Sequence, residues 1–203
     1  PIYALPTTGG TIGGNLIITG TETVPTITAP ASTALTLQAN NGTTGLSLDT
    51  SGRPLTPTRP GFRAYLTSNT TFANGAVVVF DSVGGSGTGN FNTGSNYSTS
   101  TGIFTAPVAG VYTFSTCILW QGLAAGTQVD SQIQLNGAAQ INFGRYMYQA
   151  NYTGFGGYCE VRGNCILSLA TGDAVKVINN STSKTAYGAD SAWTWFEIGR
   201  AHV

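Results

Sequence analysis

The sequence predicts an all-β chain of the sandwich or barrel type, and three observations carry that reading. Helix signals are almost absent, because β-branched and aromatic residues recur in short runs rather than with a helical period. Gly, Asn and Pro interrupt those runs every few residues, which is the punctuation that turns require. Charge is scarce: Asp, Glu, Lys and Arg make up 8% of the 203 residues, against about 25% in an average soluble domain, and Gly, Thr, Ser and Asn fill the polar positions.

Taken in order, the strands expected from these runs are Ala76-Phe80, Gly110-Leu119, Val129-Leu135, Gly157-Arg162, Cys165-Leu169, Ala174-Asn179 and Ala192-Ile198. Turn-rich segments such as Asn136-Gly137, Thr171-Gly172-Asp173 and Asn179-Asn180 separate them, and short strands at this spacing suit a sandwich or barrel. The stretch Ser51-Pro60 holds Pro54, Pro57 and Pro60 and reads as an extended connector, since proline removes a ladder donor from a central strand. It divides the chain into an arm, residues 1–58, and a head, residues 59–203.

The arm contains short alternating pieces at Asn15-Thr19, Ala34-Leu37 and Gly45-Leu48. Its apolar residues are too few to offset a backbone ordering cost of about 1–2 kcal/mol per residue. The arm is therefore expected to lack structure alone and to order when copies from several chains pack their Leu and Ile rows, or when it lies along another protein. In the head, the glycine-rich run Val83-Asn90 lacks the Lys-Ser or Lys-Thr ending of a phosphate-binding loop and reads as a mobile surface loop.

Eight basic and eight acidic residues cancel and do not cluster, so the electrostatic footprint of a nucleic-acid or anionic-membrane partner is missing. No apolar run approaches the roughly 18 residues of a membrane span, and Pro1-Ile2-Tyr3 does not open a secretory signal; Pro1 fits a chain whose initiator Met has been removed. Cys117, Cys159 and Cys165 form an odd set without zinc-site or disulfide-framework spacing. They read as small apolar side chains, with a bridge between Cys159 and Cys165 across a short hairpin left open.

The spacing becomes specific between residues 92 and 114. Asn92, Tyr97, Phe104, Gly110, Tyr112 and Phe114 fall at the separations of a Phe, Asn or Asp, aromatic, Phe, Gly-x-Tyr-x-Phe pattern that resembles the signature of C1q/TNF-like head domains. Tyr112 and Phe114 alternate toward one face of a strand, so core packing is a sufficient role for them. Two departures stand out. The leading Phe of the pattern has its counterpart at Phe80 rather than Ser86, which makes the glycine-rich run resemble an insertion of about six residues, and Thr116 replaces the closing aromatic. Leu169-Val177 is similar to the family's Gly-Asp turn before a late strand, and Ser191-Ile198 to its aromatic last strand, so the resemblance spans residues 60–203.

That resemblance implies a C1q/TNF-like jelly-roll sandwich that assembles as a homotrimer, here preceded by an extended β-rich N-terminal arm. Residues Gly9-Thr21 resemble segments of tail fibres and other surface proteins of tailed bacteriophages, and the arm has no Gly at every third position and hence no collagen stalk. The expected role is non-enzymatic and adhesive: a virion surface protein, either a capsid-decorating spike or a short fibre, made in the host cytoplasm. The arm would bind other virion proteins and the head would attach to the host surface, with a host-surface glycan as candidate ligand. A tail-fibre tip and a free C1q-like glycan-binding lectin are the alternatives.

Candidate chemistry is thin. His202 stands one residue from the end of the sequence, a poor place for a nucleophile's base, and the carboxylates show no acid–base spacing. No cofactor and no metal site is expected, although Asp130, Asp173 or Asp190 could supply oxygen ligands near a three-fold axis; Asp173 is the natural cap of its turn. The segment Phe143-Tyr158 is the most aromatic loop-like region, and Tyr146, Tyr148 and Tyr152 in it suit sugar or protein contact because each ring pairs an apolar face with a polar tip. Alternatively these rings face the core or a trimer interface. Trp120, Trp193 and Trp195 are expected to be buried.

Overall fold

A computed structural model describes residues 32–39, 42–84, 91–149, 156–189 and 192–198. The described residues contain strands and turns and no helix. In chain order the strands are β1 (Leu35–Gln38), β2 (Thr44–Leu48), β3 (Pro54–Leu55), β4 (Gly61–Tyr65), β5 (Thr70–Phe72), β6 (Phe91–Thr93), β7 (Tyr97–Ser98), β8 (Ile103–Thr105), β9 (Gly110–Gln121), β10 (Gln128–Leu135), β11 (Ala138–Met147), β12 (Cys159–Leu169), β13 (Ala174–Asn179), β14 (Lys184–Ala186) and β15 (Trp195–Ile198).

Two sheets face each other across one core. The first runs β11-β10-β13-β8-β7; the second runs β5-β14-β9-β15-β4-β6, with β12 paired along the other edge of β9. Strict alternation on β9 explains the core, since Tyr112, Phe114, Thr116, Ile118 and Trp120 point inward and are buried. The signature aromatics meet there: Phe62 stacks on Tyr97 at 4.5 Å between ring centroids and meets Phe196 edge-on at 5.1 Å, while Phe104 and Phe114 lie 5.6 Å apart. Each such pair adds roughly 0.5–1.5 kcal/mol beyond area burial. Asn92 explains its own place in the pattern, because its side chain donates to the Tyr97 carbonyl (2.8 Å) and accepts from the Tyr97 amide (3.2 Å). Thr116 keeps its core position by donating its hydroxyl to the Trp195 carbonyl at 2.9 Å.

Four expectations are corrected. Ala76-Phe80 is not a strand: Val77 forms a single bridge to Ile178, and the Phe80 amide and carbonyl are both satisfied by the Tyr97 hydroxyl. Val78 and Phe80 are buried all the same. Gly157-Arg162 and Cys165-Leu169 are not two strands but parts of β12, which pairs with β9 without a break from Cys159 to Leu169. Cys159 and Cys165 are thus six residues apart along one extended strand, about 20 Å, and all three thiols are free. Trp120 is buried and Trp195 half-buried under the Arg63 guanidinium, 4.5 Å from its ring centroid, but Trp193 is 45% exposed. The adjacent Thr194 takes the inward place, donating to the Tyr187 carbonyl (2.5 Å) and accepting from the Leu119 amide (3.2 Å). Finally, the loop-like segment from Phe143 begins as strand, since β11 continues to Met147.

The sandwich closes along the β11–β12 edge because two glycines admit close approach. A Cβ on Gly163 would stand 2.5 Å from Cγ of Phe143, and one on Gly144 would stand 2.3 Å from Cβ of Val161. Gly144 also has φ +69°, the left-handed conformation that glycine adopts without strain. It sits in a β-bulge: Ser131 lies opposite Phe143, but Val129 lies opposite Tyr146.

The small sheet β1-β2-β3 precedes the head. Its register sets Leu35 against Leu48 and Leu37 against Leu46, so all four leucines share one face, and Leu37, Leu46 and Leu48 are exposed. This part of the arm, expected to lack structure alone, forms a sheet whose apolar face is uncovered. Residues 1–31, and residues 85–90 of the glycine-rich run, lie outside the described residues.

Candidate functional site at the far end of the head

The register of β9 orients the head. The connector reaches the sandwich beside Gly61, where Pro54, Leu55, Pro57, Phe91 and Ile198 line a common hollow, and Ile198 lies opposite Phe114 near the start of β9. Trp120 and Gln121 end β9 about 20 Å away, paired with β14 and the start of β12.

At that far end lie two adjoining depressions. One is a groove of about 470 Å³ formed by Tyr146, Met147, Tyr148, Gln149, Tyr158, Cys159 and Glu160. Beyond the Gly144 bulge the end of β11 leaves the core, so Tyr146 and Met147 are 58% and 65% exposed. Tyr148 is held differently: it packs against the core, and its hydroxyl accepts from the Gly157 amide at 3.0 Å. Its amide donates to Thr127 and its carbonyl accepts from Gly126, both at 2.8 Å. Tyr148 therefore fixes the groove floor while Tyr146 offers its ring to solvent. Tyr158 is partly exposed and braced edge-on by Tyr187 at 5.9 Å.

The second depression, a basin of about 560 Å³, lies on the other side of Tyr158, between the Gln121–Thr127 connection and the Ser183–Thr185 segment. Its polar lining residues are Gln121, Thr127, Ser183, Lys184 and Thr185, with Tyr158, Leu123 and small residues completing the wall. Gly157 (φ +83°) lets the chain pass close to Leu123, whose amide donates to the Gly157 carbonyl at 2.9 Å. Tyr158 is the wall that groove and basin share.

A family model of the C1q domain matches residues 61–197. The chain belongs to the C1q-domain family. Among solved structures, the C1q head is similar to the globular domain of zebrafish complement 1qA protein, with a TM-score of 0.51, 15% identity and coverage of 70% of this chain and 97% of that one. It is also similar to the Eiger TNF structure from S. frugiperda, with a TM-score of 0.51, 12% identity and coverage of 70% and 93%. Identities this low speak for the fold alone, an all-β sandwich of the C1q/TNF jelly-roll kind. No curated protein matches the sequence.

Within the C1q head the sequence-derived candidates sort as follows. Tyr146 and Tyr148 are brought together in the groove; Tyr152, His202 and Asp190 lie outside the described residues. Asp130 is buried on β10, one carboxylate oxygen accepting from the Asn180 side chain at 3.1 Å. Asp173 sits at the opposite end of that strand, accepting from the Ala170 amide and the Asn136 side-chain amide, both at 2.8 Å. Asp173 caps its turn, and these bonds hold its carboxyl below the ordinary carboxylate range. Asp130 and Asp173 do not meet within the chain, and the described residues hold no group of three His, Cys, Asp or Glu side chains placed for a metal. Burial pushes the Cys117 thiol up to about 12 and the Cys165 thiol up to about 11, so neither is a thiolate nucleophile at neutral pH. Sequence reasoning missed Tyr158 as the shared wall and missed Lys184, Gln121 and Thr127 altogether.

Proposed function

We propose that this chain is the protomer of a non-enzymatic, homotrimeric surface protein of a tailed-bacteriophage virion, a capsid-decorating spike or short fibre. Residues 1–58 anchor it to other virion proteins, and the C1q head presents a saccharide-binding end to the host surface. The observation that carries this reading is the polarity of the chain: the connector enters at one end of the head, and the aromatic groove and hydroxyl-lined basin lie at the other. A protein fixed through its arm would hold that end outward.

The outward face of the β9–β12 pair supports assembly from identical copies. Ile166 is 69% exposed and Val111 46%, and Thr113, Ser115, Asn164 and Ser168 surround them by register. The charges on this sheet face are internally paired, Arg63 with Glu197 and Arg162 with Glu160, so covering it leaves no isolated charge to desolvate. The virion context rests on the Gly/Thr-rich pattern of residues 9–21, which lie outside the described residues.

Sedimentation of the full chain is expected to give a trimer at micromolar concentration, and Ile166→Lys to shift it toward monomer; a wild-type monomer would overturn the assembly. Purified particles are expected to carry the protein on their surface, with capsid and tail distinguished by immunogold labelling. A second reading, a free C1q-like lectin, is favoured by the completeness of groove and basin within the head. It gains if the protein is absent from particles yet binds a glycan array.

A further inference from the structure

Lys184 is a feature of the far end that packing does not explain. It is 9% exposed, and lysine is almost never buried to that degree without an opposite charge. Its ammonium donates to the Thr182 hydroxyl and to the Ser183 carbonyl, both neutral. The ion pairs among the described residues are Asp49 with Arg53, Arg63 with Glu197 and Glu160 with Arg162; none includes Lys184. An ammonium has three donors, so one N–H and a full positive charge are left over. Burial accordingly holds the Lys184 ammonium below its ordinary range.

Lys184 lines a basin whose other lining residues include no carboxylate. Glu160, in the neighbouring groove, is already paired with Arg162. We propose that the basin is the seat of a carboxylate-bearing saccharide unit, whose carboxylate accepts a hydrogen bond from the Lys184 ammonium while the next sugar stacks on the Tyr158 and Tyr146 rings. The assignment rests on the reading of this end as saccharide-binding and names its substrate class. A carboxylate supplies the counter-charge the fold withholds, and Gln121, Thr127 and Thr185 offer the amide and hydroxyl partners that sugar hydroxyls need. The volume lies within the range of small-ligand pockets, roughly 300–1,000 Å³, more than a single acidic side chain fills. The adjoining apolar ring faces suit the C–H face of a pyranose.

The test uses the full chain, titrated with oligogalacturonate and with the same oligosaccharide after carboxyl reduction, and likewise with sialyllactose and lactose. A charge-assisted hydrogen bond sets the expectation that an acidic form binds about ten-fold or more tightly than its neutral counterpart. Lys184→Met should abolish that ratio, with a melting curve to certify folding. The wild-type ratio decides the matter even where the variant folds poorly. Equal binding of acidic and neutral forms overturns the inference while leaving the saccharide reading intact, as does a ratio that survives in Lys184→Met. Absence of any saccharide binding overturns both. Binding of polyglutamate as tight as that of oligogalacturonate reassigns the basin to an acidic protein segment and also overturns the inference.

Discussion

A close approach between the two sheets, Gly163 of β12 beneath Phe143 of β11, offers a direct test of how the far end of the head is held. In Gly163→Ala the new methyl would stand 2.5 Å from Cγ and 2.6 Å from Cδ1 of a ring that is 6% exposed. Ordinary carbon contacts begin near 3.5 Å, so the strands must part by about 1 Å. Cγ is the root of the ring, so no rotation about χ2 relieves the clash. Overpacking of this kind costs about 1–3 kcal/mol. Against that stands a gain of about 0.4–1 kcal/mol from the smaller freedom of alanine in the unfolded chain, leaving a net loss of about 1–2 kcal/mol. With a urea slope of about 2 kcal/mol/M, the midpoint should fall by about 0.5–1 M, measured at one protein concentration so that the proposed assembly weighs equally on both proteins. Phe143→Ala alone should cost about 3–5 kcal/mol. In the double variant the methyl occupies vacated space, so the sum should overshoot the measured loss by about 1–3 kcal/mol. A neutral Gly163→Ala, or additivity within about 0.5 kcal/mol, would refute the contact as the determinant of closure.

Three further outcomes are expected. Thr194→Val removes the partner of the Leu119 amide and the Tyr187 carbonyl at nearly constant volume; leaving a buried group unpaired costs about 1–3 kcal/mol, read as a lowered denaturation midpoint. Asp173 has a carboxyl held below its ordinary 3.8 by the Asn136 side chain and the Ala170 amide. Its contribution should be full above pH 3.8 and lost as pH falls through the lower folded value, so the wild-type advantage over Asp173→Asn should shrink in acid; a pH-independent difference would count against it. Lys184 has the opposite chemistry. Burial depresses its folded value below 10.5, so the unfolded chain binds the proton more tightly and wild-type stability should rise as pH climbs from the folded value toward 10.5. Lys184→Met lacks that rise, so its stability advantage should be largest at neutral pH and narrow in alkali, as urea midpoints across the pH range would show.

Much of the head was legible because its core is built from aromatics at fixed separations. Tyr112 and Phe114 were expected in the core and are buried in one cluster with the signature residues Tyr97 and Phe104; alternation on a twelve-residue strand such as β9 leaves little freedom. Strands of two to five residues, such as β4 to β8 and β14, carry too few positions for a period to emerge. Gly163-Asn164 reads as a break, yet it is a contact: glycine is there to admit the Phe143 ring, and a lone sequence cannot separate the two uses of glycine. Trp193 was misjudged because size says nothing about parity, and Thr194 holds the inward place. At the far end, aromatic density announced Tyr146 and Tyr148. Lys184, Gln121, Thr127 and Tyr158 come from separate elements joined only by register, and the sole signal in the sequence was a lysine alone in the uncharged run Asn179-Thr185.

The separation between what folds this head and what it can bind follows from where the core stops. The buried cluster runs to Phe143 on β11 and to Val161 on β12, and the Gly144 bulge turns the next residues of β11 out of the sandwich. Tyr146 and Met147 therefore lie past the last layer that stability needs, in the manner of residues on a loop carried by a rigid scaffold. Tyr148 is the exception, since its ring packs on the core and its hydroxyl holds the Gly157 amide. Exchange of Tyr146 or Met147 can then alter recognition at little cost to the fold, whereas exchange of Tyr148 disturbs both. Lys184 completes the division from the other side, because its ammonium has the neutral Thr182 and Ser183 as its partners, a cost to folding that the proposed carboxylate ligand would offset.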